Sequence, residues 1–156
     1  MIQRVERLAS EARSKNGELP IASLVASSVL GPPLAEAVDE RISTGNLLCH
    51  SVSRVIDAVA AIDRVNGRVI PGQAPPYLLS GLSLFTTHEP CLMCSMSLLH
   101  SRIAVVYYVR QSLHAGGLGS VYKVHEDKGL NHKFEAWQWL GEQGSTIDDK
   151  QVNVDP

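Results

Sequence analysis

The sequence of 156 residues has no long apolar run. Every apolar run falls short of the roughly 18 to 20 residues that a membrane-spanning helix requires, so we expect no membrane association. Charged side chains are scattered through positions 1–20, which is unlike the apolar core of a secretory signal. From these absences we expect the chain to act in the cytoplasm and the nucleus.

Basic character is also missing, because the formal net charge is −2. A protein that binds nucleic acid by itself usually carries a basic surface. A role in RNA binding would therefore need a partner that contributes much of the positively charged surface. Nucleotide-binding motifs are absent as well. The glycines within 116–119 are followed by no Lys-Ser/Thr pair at P-loop spacing and are expected to form a turn.

Cysteine is scarce, with three residues at Cys49, Cys91 and Cys94. An odd number in a reducing setting argues against a disulfide framework and favours a metal role for the Cys91-x-x-Cys94 pair. Cys49 adjoins a predicted helix start and is expected to be a buried, inert thiol.

The length and the 44% hydrophobic content suffice for one well-filled core, and no internal repeat is visible. We expect a single domain over residues 1–156, with a C-terminal tail from about residue 141.

Apolar periodicity predicts an α/β order of elements. The predicted helices lie near 2–15, 50–65, 91–100 and 131–140, and the predicted strands within 21–30, 34–42, 82–87 and 103–109. The segment 66–76 is rich in proline and glycine and is expected to be a loop. The 103–109 run is β-branched and aromatic, which is typical of a strand buried on both faces. This order indicates a mixed sheet covered by helices on both faces.

Two predicted helix starts carry a set of metal ligands. His50 opens one helix, and Pro90-Cys91-Leu92-Met93-Cys94 opens the next. A Cys-x-x-Cys at a helix start lets both sulfurs face one point, and the positive helix end favours thiolates. A redox pair is the main alternative, but it gives His50 no role. We therefore predict one zinc per chain, bound by His50 through either ring nitrogen, Cys91 and Cys94.

The same residues follow the H-x-E…P-C-x-x-C order of zinc nucleobase deaminases, in which the glutamate is the general acid/base. Val52 stands in the glutamate's place, and an alkyl group cannot transfer a proton. Val52 is also in phase with Val55, Ile56 and Val59, as expected for the core stripe of a helix. We predict that the metal site is kept and that the chain alone has no turnover.

Two further groups could complete the site. Glu89 is a possible substitute base, although a residue just before a helix is more often held by backbone amides. Three protein ligands leave a tetrahedral zinc with one open position. The carboxylate of Asp155 or that of the terminal Pro156 is predicted to fill it, with the tail acting as a plug; the alternative is an ordinary mobile chain end.

Several remaining side chains have a structural interpretation first. Trp137 and Trp139 are expected to pack in the core or against a subunit, with base stacking as the alternative. An obligate interface is expected on the second metal-bearing helix, with Met93, Met96, Leu98 and Leu99 as candidates. The histidines without ligand spacing are expected to be surface or hydrogen-bonded residues; they are His88, His100, His114, His125 and His132.

Four segments of the sequence agree in order and spacing with one family. They are Gly-Glu-Leu-Pro-Ile-Ala at 17–22, Gly-Asn-Leu-Leu-Cys-His-Ser-Val at 45–52, the second metal box at 87–102, and Leu-Asn-His-Lys at 130–133. Together they resemble the non-catalytic subunit family of the eukaryotic tRNA wobble-adenosine deaminase. The resemblance covers nearly the whole chain. It implies a three-layer α/β/α cytidine deaminase-like fold with a mixed five-stranded sheet, and it places 130–133 in a last helix.

In that family a paired subunit of the same fold supplies the glutamate, and the heterodimer converts adenosine to inosine at the first anticodon position. The resemblance therefore implies a zinc-binding, inactive hydrolase subunit that scaffolds a catalytic partner and meets tRNA through the complex. Asn46 is implied as the vestigial counterpart of an asparagine that contacts the target nucleotide. Family members commonly carry an extra domain before the deaminase domain, whereas this sequence begins near the first deaminase helix.

Two alternatives remain open at the level of sequence. One is a free-standing zinc nucleobase or nucleoside deaminase with an unexpected base. The other is a structural zinc domain that interacts with RNA and has no deaminase partner.

Overall fold

The computed structural model describes residues 1–27, 30–66 and 76–141. Its helices are α1 (Ile2–Asn16), α2 (Arg41–Thr44), α3 (Ser51–Asn66) and α4 (Leu92–His100), with one 3₁₀ turn at Val124–Glu126. Its strands are β1 (Ala22–Ala26), β2 (Ala35–Val38), β3 (Ser83–His88), β4 (Val105–Arg110) and β5 (Glu135–Gln138). No helix within these ranges has the length and apolar character needed to span a bilayer.

The described strands form one mixed sheet of five strands in the order β2-β1-β3-β4-β5. β1 is antiparallel to β2 and β3, whereas β3, β4 and β5 run parallel. Strand alternation separates two cores, because neighbouring residues of a strand face opposite sides. Leu84 packs with α3 and α4, and Phe85 packs with α1. The predicted three-layer α/β/α fold is confirmed.

The two long helices follow the apolar periodicity of the sequence. α1 buries Val5, Ala9 and Ala12, and it ends at Gly17, whose φ of 68° is readily adopted by glycine. α3 buries Val52, Val55 and Val59 against the sheet. These one-sided stripes place the start of α3 beside the carboxyl end of β3, where the metal-ligand motifs meet.

The helix predicted near 131–140 is wrong, and so is the last helix implied at 130–133. Residues 135–138 form β5, paired in parallel with β4 from Val105↔Glu135 to Tyr108↔Gln138, and 130–133 belong to no helix or strand. The free edge of β4 offers backbone partners that local helix propensity cannot match. This strand is the fifth of the sheet, which the element order read from the residues lacked.

The prediction that 103–109 forms a strand buried on both faces is also wrong in part. The strand begins at Val105, and only Val106 and Tyr108 are fully buried, on one face. On the other face α1 packs over β1 and β3, which leaves Tyr107 half-buried and stacked on Phe85 with ring centroids 4.9 Å apart. Most of the predicted loop at 66–76 and nearly all of the tail lie outside the described residues.

Candidate metal centre

The starts of two helices bring the predicted ligands together. His50 directly precedes α3 and its carbonyl accepts the N–H of Arg54, while Cys91 caps α4 and Cys94 lies in the first turn of that helix. The start of α3 is tied to the sheet by a hydrogen bond of 2.8 Å between the hydroxyls of Ser51 and Ser23. The ligand atoms of His50, Cys91 and Cys94 all lie within 4.8 Å of one another.

The distances between these atoms fit a tetrahedral ion. His50 Nδ1 lies 3.7 Å from Cys91 Sγ and 3.6 Å from Cys94 Sγ. Around a tetrahedral zinc with Zn–S of about 2.3 Å and Zn–N of about 2.0–2.1 Å, a sulfur and a nitrogen stand about 3.6 Å apart. The side chains are therefore already spaced for one ion, and Nδ1 is the nitrogen that faces the thiols.

A hydrogen bond between the two thiols shifts their pKa values in opposite directions. A hydrogen bond from Cys94 lowers the pKa of the Cys91 thiol to about 4, and His50 acts in the same direction against the effect of burial. The same pairing with Cys91, together with burial, raises the pKa of Cys94. A cation bound here would therefore meet a thiolate already formed at Cys91 and would displace the proton of the Cys94 thiol.

A cavity of about 10 Å³ lies beside the three ligands. Its lining residues are Ile21, Asp39, His50, Ser51, Val52, Thr86, His88, Glu89, Pro90, Cys91 and Cys94. This volume is just enough for one water molecule, so the cavity has no room for a nucleobase. Val52 is 3% exposed and packs with Val55 and Val59, which confirms that it belongs to the core stripe of α3.

Glu89 is fully buried and occupied by structural hydrogen bonds. Its carboxylate accepts the backbone N–H groups of Ser112, Leu118 and Ser120 and the hydroxyl of Ser120. The expectation that backbone amides hold Glu89 is confirmed, although the amides belong to the loop at 112–120 and not to the helix start. A Cβ at Gly116 would collide with this carboxylate, which explains glycine there.

Two buried residues of the cavity wall escaped the sequence interpretation. His88 was expected to be an ordinary histidine, but it is 5% exposed and lines the cavity. Burial, with a smaller effect of Arg110, lowers the pKa of His88 to about 4, so its ring is neutral near pH 7. Asp39 is fully buried and paired with Arg41 at 2.9 Å. Alternation with Leu84 along β3 is the signal that could have placed His88 on this side of the sheet.

Three other sequence predictions concern this site. Asn46 is exposed, its Oδ1 accepts the N–H of Leu48 at 3.0 Å, and it is not one of the residues that line the cavity. Cys49 is half-buried, not buried as expected, and stands outside the ligand cluster. Asp155 and Pro156 lie outside the described residues, so the plug stays a prediction.

The predicted interface set on α4 is partly wrong. Leu98 and Leu99 are buried in the core, at 0% and 1% exposure, because they face the sheet and α3. Met93 is exposed and Met96 is half-buried. Trp137 and Trp139 are also exposed, so neither is a core residue of this chain.

Comparisons with known proteins agree with this geometry. The family model of the cytidine and deoxycytidylate deaminase zinc-binding region matches residues 1–110. The chain is 37% identical over 131 residues to the tRNA-specific adenosine deaminase subunit tad3 of Schizosaccharomyces pombe, covering 83% of this chain and 41% of that protein. It is 41% identical over 68 residues to the probable inactive tRNA-specific adenosine deaminase-like protein 3 of Homo sapiens, covering 44% and 19%.

Solved structures share the fold at low identity. A structure from a study of A-to-I editing by tRNA:A34 deaminases matches with a TM-score of 0.69 and 18% identity, covering 88% of this chain and 96% of that one. The guanine deaminase of Nitrosomonas europaea matches with a TM-score of 0.65 and 15% identity, covering 88% and 74%. The chain spans less than half the length of the two curated relatives above.

Proposed function

Because the chain belongs to the cytidine and deoxycytidylate deaminase zinc-binding family, we propose that it is a zinc-holding, non-catalytic subunit of a tRNA-specific adenosine deaminase. In this proposal a partner subunit of the same fold converts the wobble adenosine of tRNA anticodons to inosine, and the present chain scaffolds it. The proposal depends on one observation, that the alkyl side chain of Val52 is buried beside the three ligands. An active deaminase has its catalytic glutamate at this position of the motif.

The residues present fit zinc. His50 Nδ1 and the sulfurs of Cys91 and Cys94 have tetrahedral spacing, and the family model that the chain matches is a zinc-binding region. In active deaminases such an ion activates the attacking water. Here the three ligands join α3 to α4, and the ion would hold these two helix starts together.

Three features argue against turnover by this chain. Val52 cannot move a proton. Glu89 already accepts three backbone N–H groups, and releasing it would leave these donors buried without partners. The cavity of about 10 Å³ cannot take a purine beside the metal. A free-standing deaminase would need both a proton-transferring group beside the metal and a larger cavity.

A partner surface is available beside the metal centre. Leu92 and Met93 are exposed at the start of α4, and the backbone N–H of Leu92 bonds the carbonyl of Ala115. The loop that follows exposes Val121 and Tyr122, whose N–H groups both bond Gly116. These apolar side chains lie around one junction, which is the kind of surface that a subunit interface covers. With a net charge of −2, the chain would meet tRNA together with its partner.

The direct test is an inosine assay on a tRNA with adenosine at the wobble position. We expect no inosine with this chain alone, and inosine when the catalytic subunit is added. Val52→Glu is expected to stay inactive alone, because the cavity remains too small. Inosine formation by the isolated wild-type chain would instead establish a free-standing deaminase, and the absence of inosine in both samples would favour a structural zinc domain.

Metal content separates the zinc site from the catalytic question. Cys91→Ser is expected to lose zinc by elemental analysis, since it removes one of three ligands. Cys49→Ser is the matched control and should retain about one zinc per chain, because Cys49 stands outside the ligand cluster. Equal zinc content in the two variants would contradict the assignment.

A further inference from the structure

His88 carries a buried nitrogen that no described residue satisfies. Within the described ranges, three side chains that are not fully exposed have a buried nitrogen without a hydrogen-bond partner, on Arg41, His88 and His125. Of these three, His88 alone lines the cavity beside the metal ligands. Leaving a buried polar group unpaired is costly, so a structure usually provides a partner for it.

The side chain of His88 lies on the metal-bearing face of the sheet. Along β3, Leu84 belongs to the core under α3 and α4, whereas Phe85 belongs to the core under α1. Thr86 and His88 share the side of Leu84 by alternation, and both line the cavity. Since His88 is 5% exposed, its free nitrogen is not satisfied by bulk water.

The hydrogen bonds of Thr87 favour the tautomer of His88 that carries its proton on Nε2. The hydroxyl of Thr87 accepts the N–H of Ala22 at 3.2 Å and lies 3.0 Å from His88 Nδ1. If Thr87 donates its hydroxyl proton to Nδ1, every polar atom of this pair except Nε2 is satisfied. The ring is neutral near pH 7, because burial lowers its pKa to about 4. Nε2 then carries the proton and is an unpaired donor.

Direct coordination by His88 does not fit this arrangement. The cluster of ligand atoms that lie within 4.8 Å of one another contains His50, Cys91 and Cys94 and leaves His88 out. A protonated Nε2 also has no lone pair to offer a cation. A tetrahedral ion held by three protein ligands has one position left.

We propose that His88 is a positioning residue of the metal centre, whose Nε2–H donates a hydrogen bond to the oxygen ligand in that fourth position. This inference rests on the zinc site of the proposed function. The oxygen belongs either to solvent or to a carboxylate, and both classes accept a hydrogen bond from an N–H group. His88 would thus orient the fourth ligand, as partners outside the coordination sphere commonly do in metal sites.

The test uses the full chain reconstituted with Co²⁺, whose visible absorption reports its coordination, and acetate as the probe. If solvent holds the fourth position, acetate shifts the wild-type spectrum, and His88→Leu should need roughly 10- to 100-fold more acetate for the same shift. If a carboxylate already holds it, the wild type is insensitive to acetate and His88→Leu becomes sensitive. His125→Leu is the matched control, because His125 also has an unpaired nitrogen but does not line the cavity.

Identical spectral responses to acetate in the wild type and His88→Leu would overturn the inference. Loss of cobalt from a folded His88→Leu would also overturn it, because His88 would then be a direct ligand. Failure of the wild type to bind cobalt would overturn the metal site itself and the role of His88 with it. Nitrogen-15 NMR of the zinc-loaded wild type gives a check that needs no variant. We expect the proton on Nε2, and a proton on Nδ1 would refute the inference.

Discussion

Replacing Glu89 by glutamine tests whether this buried carboxylate is a structural anchor or a catalytic base. Glutamine keeps the size of the side chain and exchanges one carboxylate oxygen for an NH₂ group. Glu89 Oε1 accepts the N–H groups of Leu118 and Ser120 at 2.9 and 3.0 Å, and Oε2 accepts that of Ser112 at 3.1 Å. In the variant the remaining oxygen can keep the first two bonds, and the NH₂ group then faces the N–H of Ser112.

The expected loss of stability follows from these contacts. One buried N–H without its carboxylate acceptor costs about 1–3 kcal/mol, and each of the two remaining bonds weakens by about 1 kcal/mol when its acceptor loses its charge. Relief of the buried charge offsets part of this sum. We therefore expect Glu89→Gln to lower the free energy of unfolding by about 2–4 kcal/mol, a large share of the roughly 5–15 kcal/mol of a typical domain.

Urea unfolding of the zinc-loaded protein, followed by circular dichroism, measures this difference. Hydrogen exchange at Leu118 and Ser120 should accelerate in the variant, because their bonds to the carboxylate weaken. Glu11→Gln is the matched control, since Glu11 pairs with Lys15 on the surface and its loss should leave the free energy of unfolding nearly unchanged. A Glu89→Gln variant as stable as the wild type, but unable to support inosine formation in the complex, would refute the structural role.

Three further measurements address the loop, the core and the cavity. Gly117→Ala should destabilise the chain by about 1–3 kcal/mol in urea unfolding, because a Cβ there would overlap Ser95. A Cβ at Gly119 would meet only Tyr108 Oη at 3.4 Å, so Gly119→Ala should change the free energy of unfolding by less than about 0.5 kcal/mol. Equal effects of the two substitutions would contradict this packing. Leu98→Ala should cost about 2–5 kcal/mol in thermal unfolding of the isolated chain. Met93→Ala should cost less than about 0.5 kcal/mol there and instead weaken binding of the catalytic subunit in calorimetry. A Leu98→Ala variant that is stable but binds the catalytic subunit weakly would restore Leu98 as an interface residue. Because the pKa of His88 is lowered to about 4, the unfolded state binds one more proton than the native state between pH 6.5 and about 4. The free energy of unfolding should therefore be retained above pH 6.5 and fall by up to about 3 kcal/mol toward pH 4, and this loss should be smaller in His88→Gln. Equal dependence of the free energy of unfolding on pH in the two proteins would contradict the assignment.

The clustering of His50, Cys91 and Cys94 was predictable because its signals are local. Cys91 and Cys94 lie within one helical turn, and the histidine and the thiolates all stand at helix starts. Val52 was predictable for the same reason, since its spacing to Val55 and Val59 places all three on one face of α3. In each case the interactions that decide the position lie within a few residues along the chain.

β5 was not predictable in this way. Only four residues long, the segment 135–138 shows no strand periodicity of its own, and three of its side chains, Glu135, Trp137 and Gln138, are exposed. What makes them a strand is the unpaired edge of β4, about thirty residues earlier in the sequence, which accepts their backbone groups. Local propensity contains no information about that edge.

By itself the sequence determined the α/β class, the helix starts that carry His50, Cys91 and Cys94, and the alkyl side chain at Val52. Only the tertiary structure decided that Glu89 accepts the N–H groups of a loop that begins 23 residues later, that His88 lines one cavity with His50, Cys91 and Cys94, and that this cavity is about 10 Å³. The difference is physical. Periodicity and helix-start chemistry act between near neighbours, whereas the partners of a buried polar group and the volume of a cavity depend on segments that become adjacent only when the sheet closes around them.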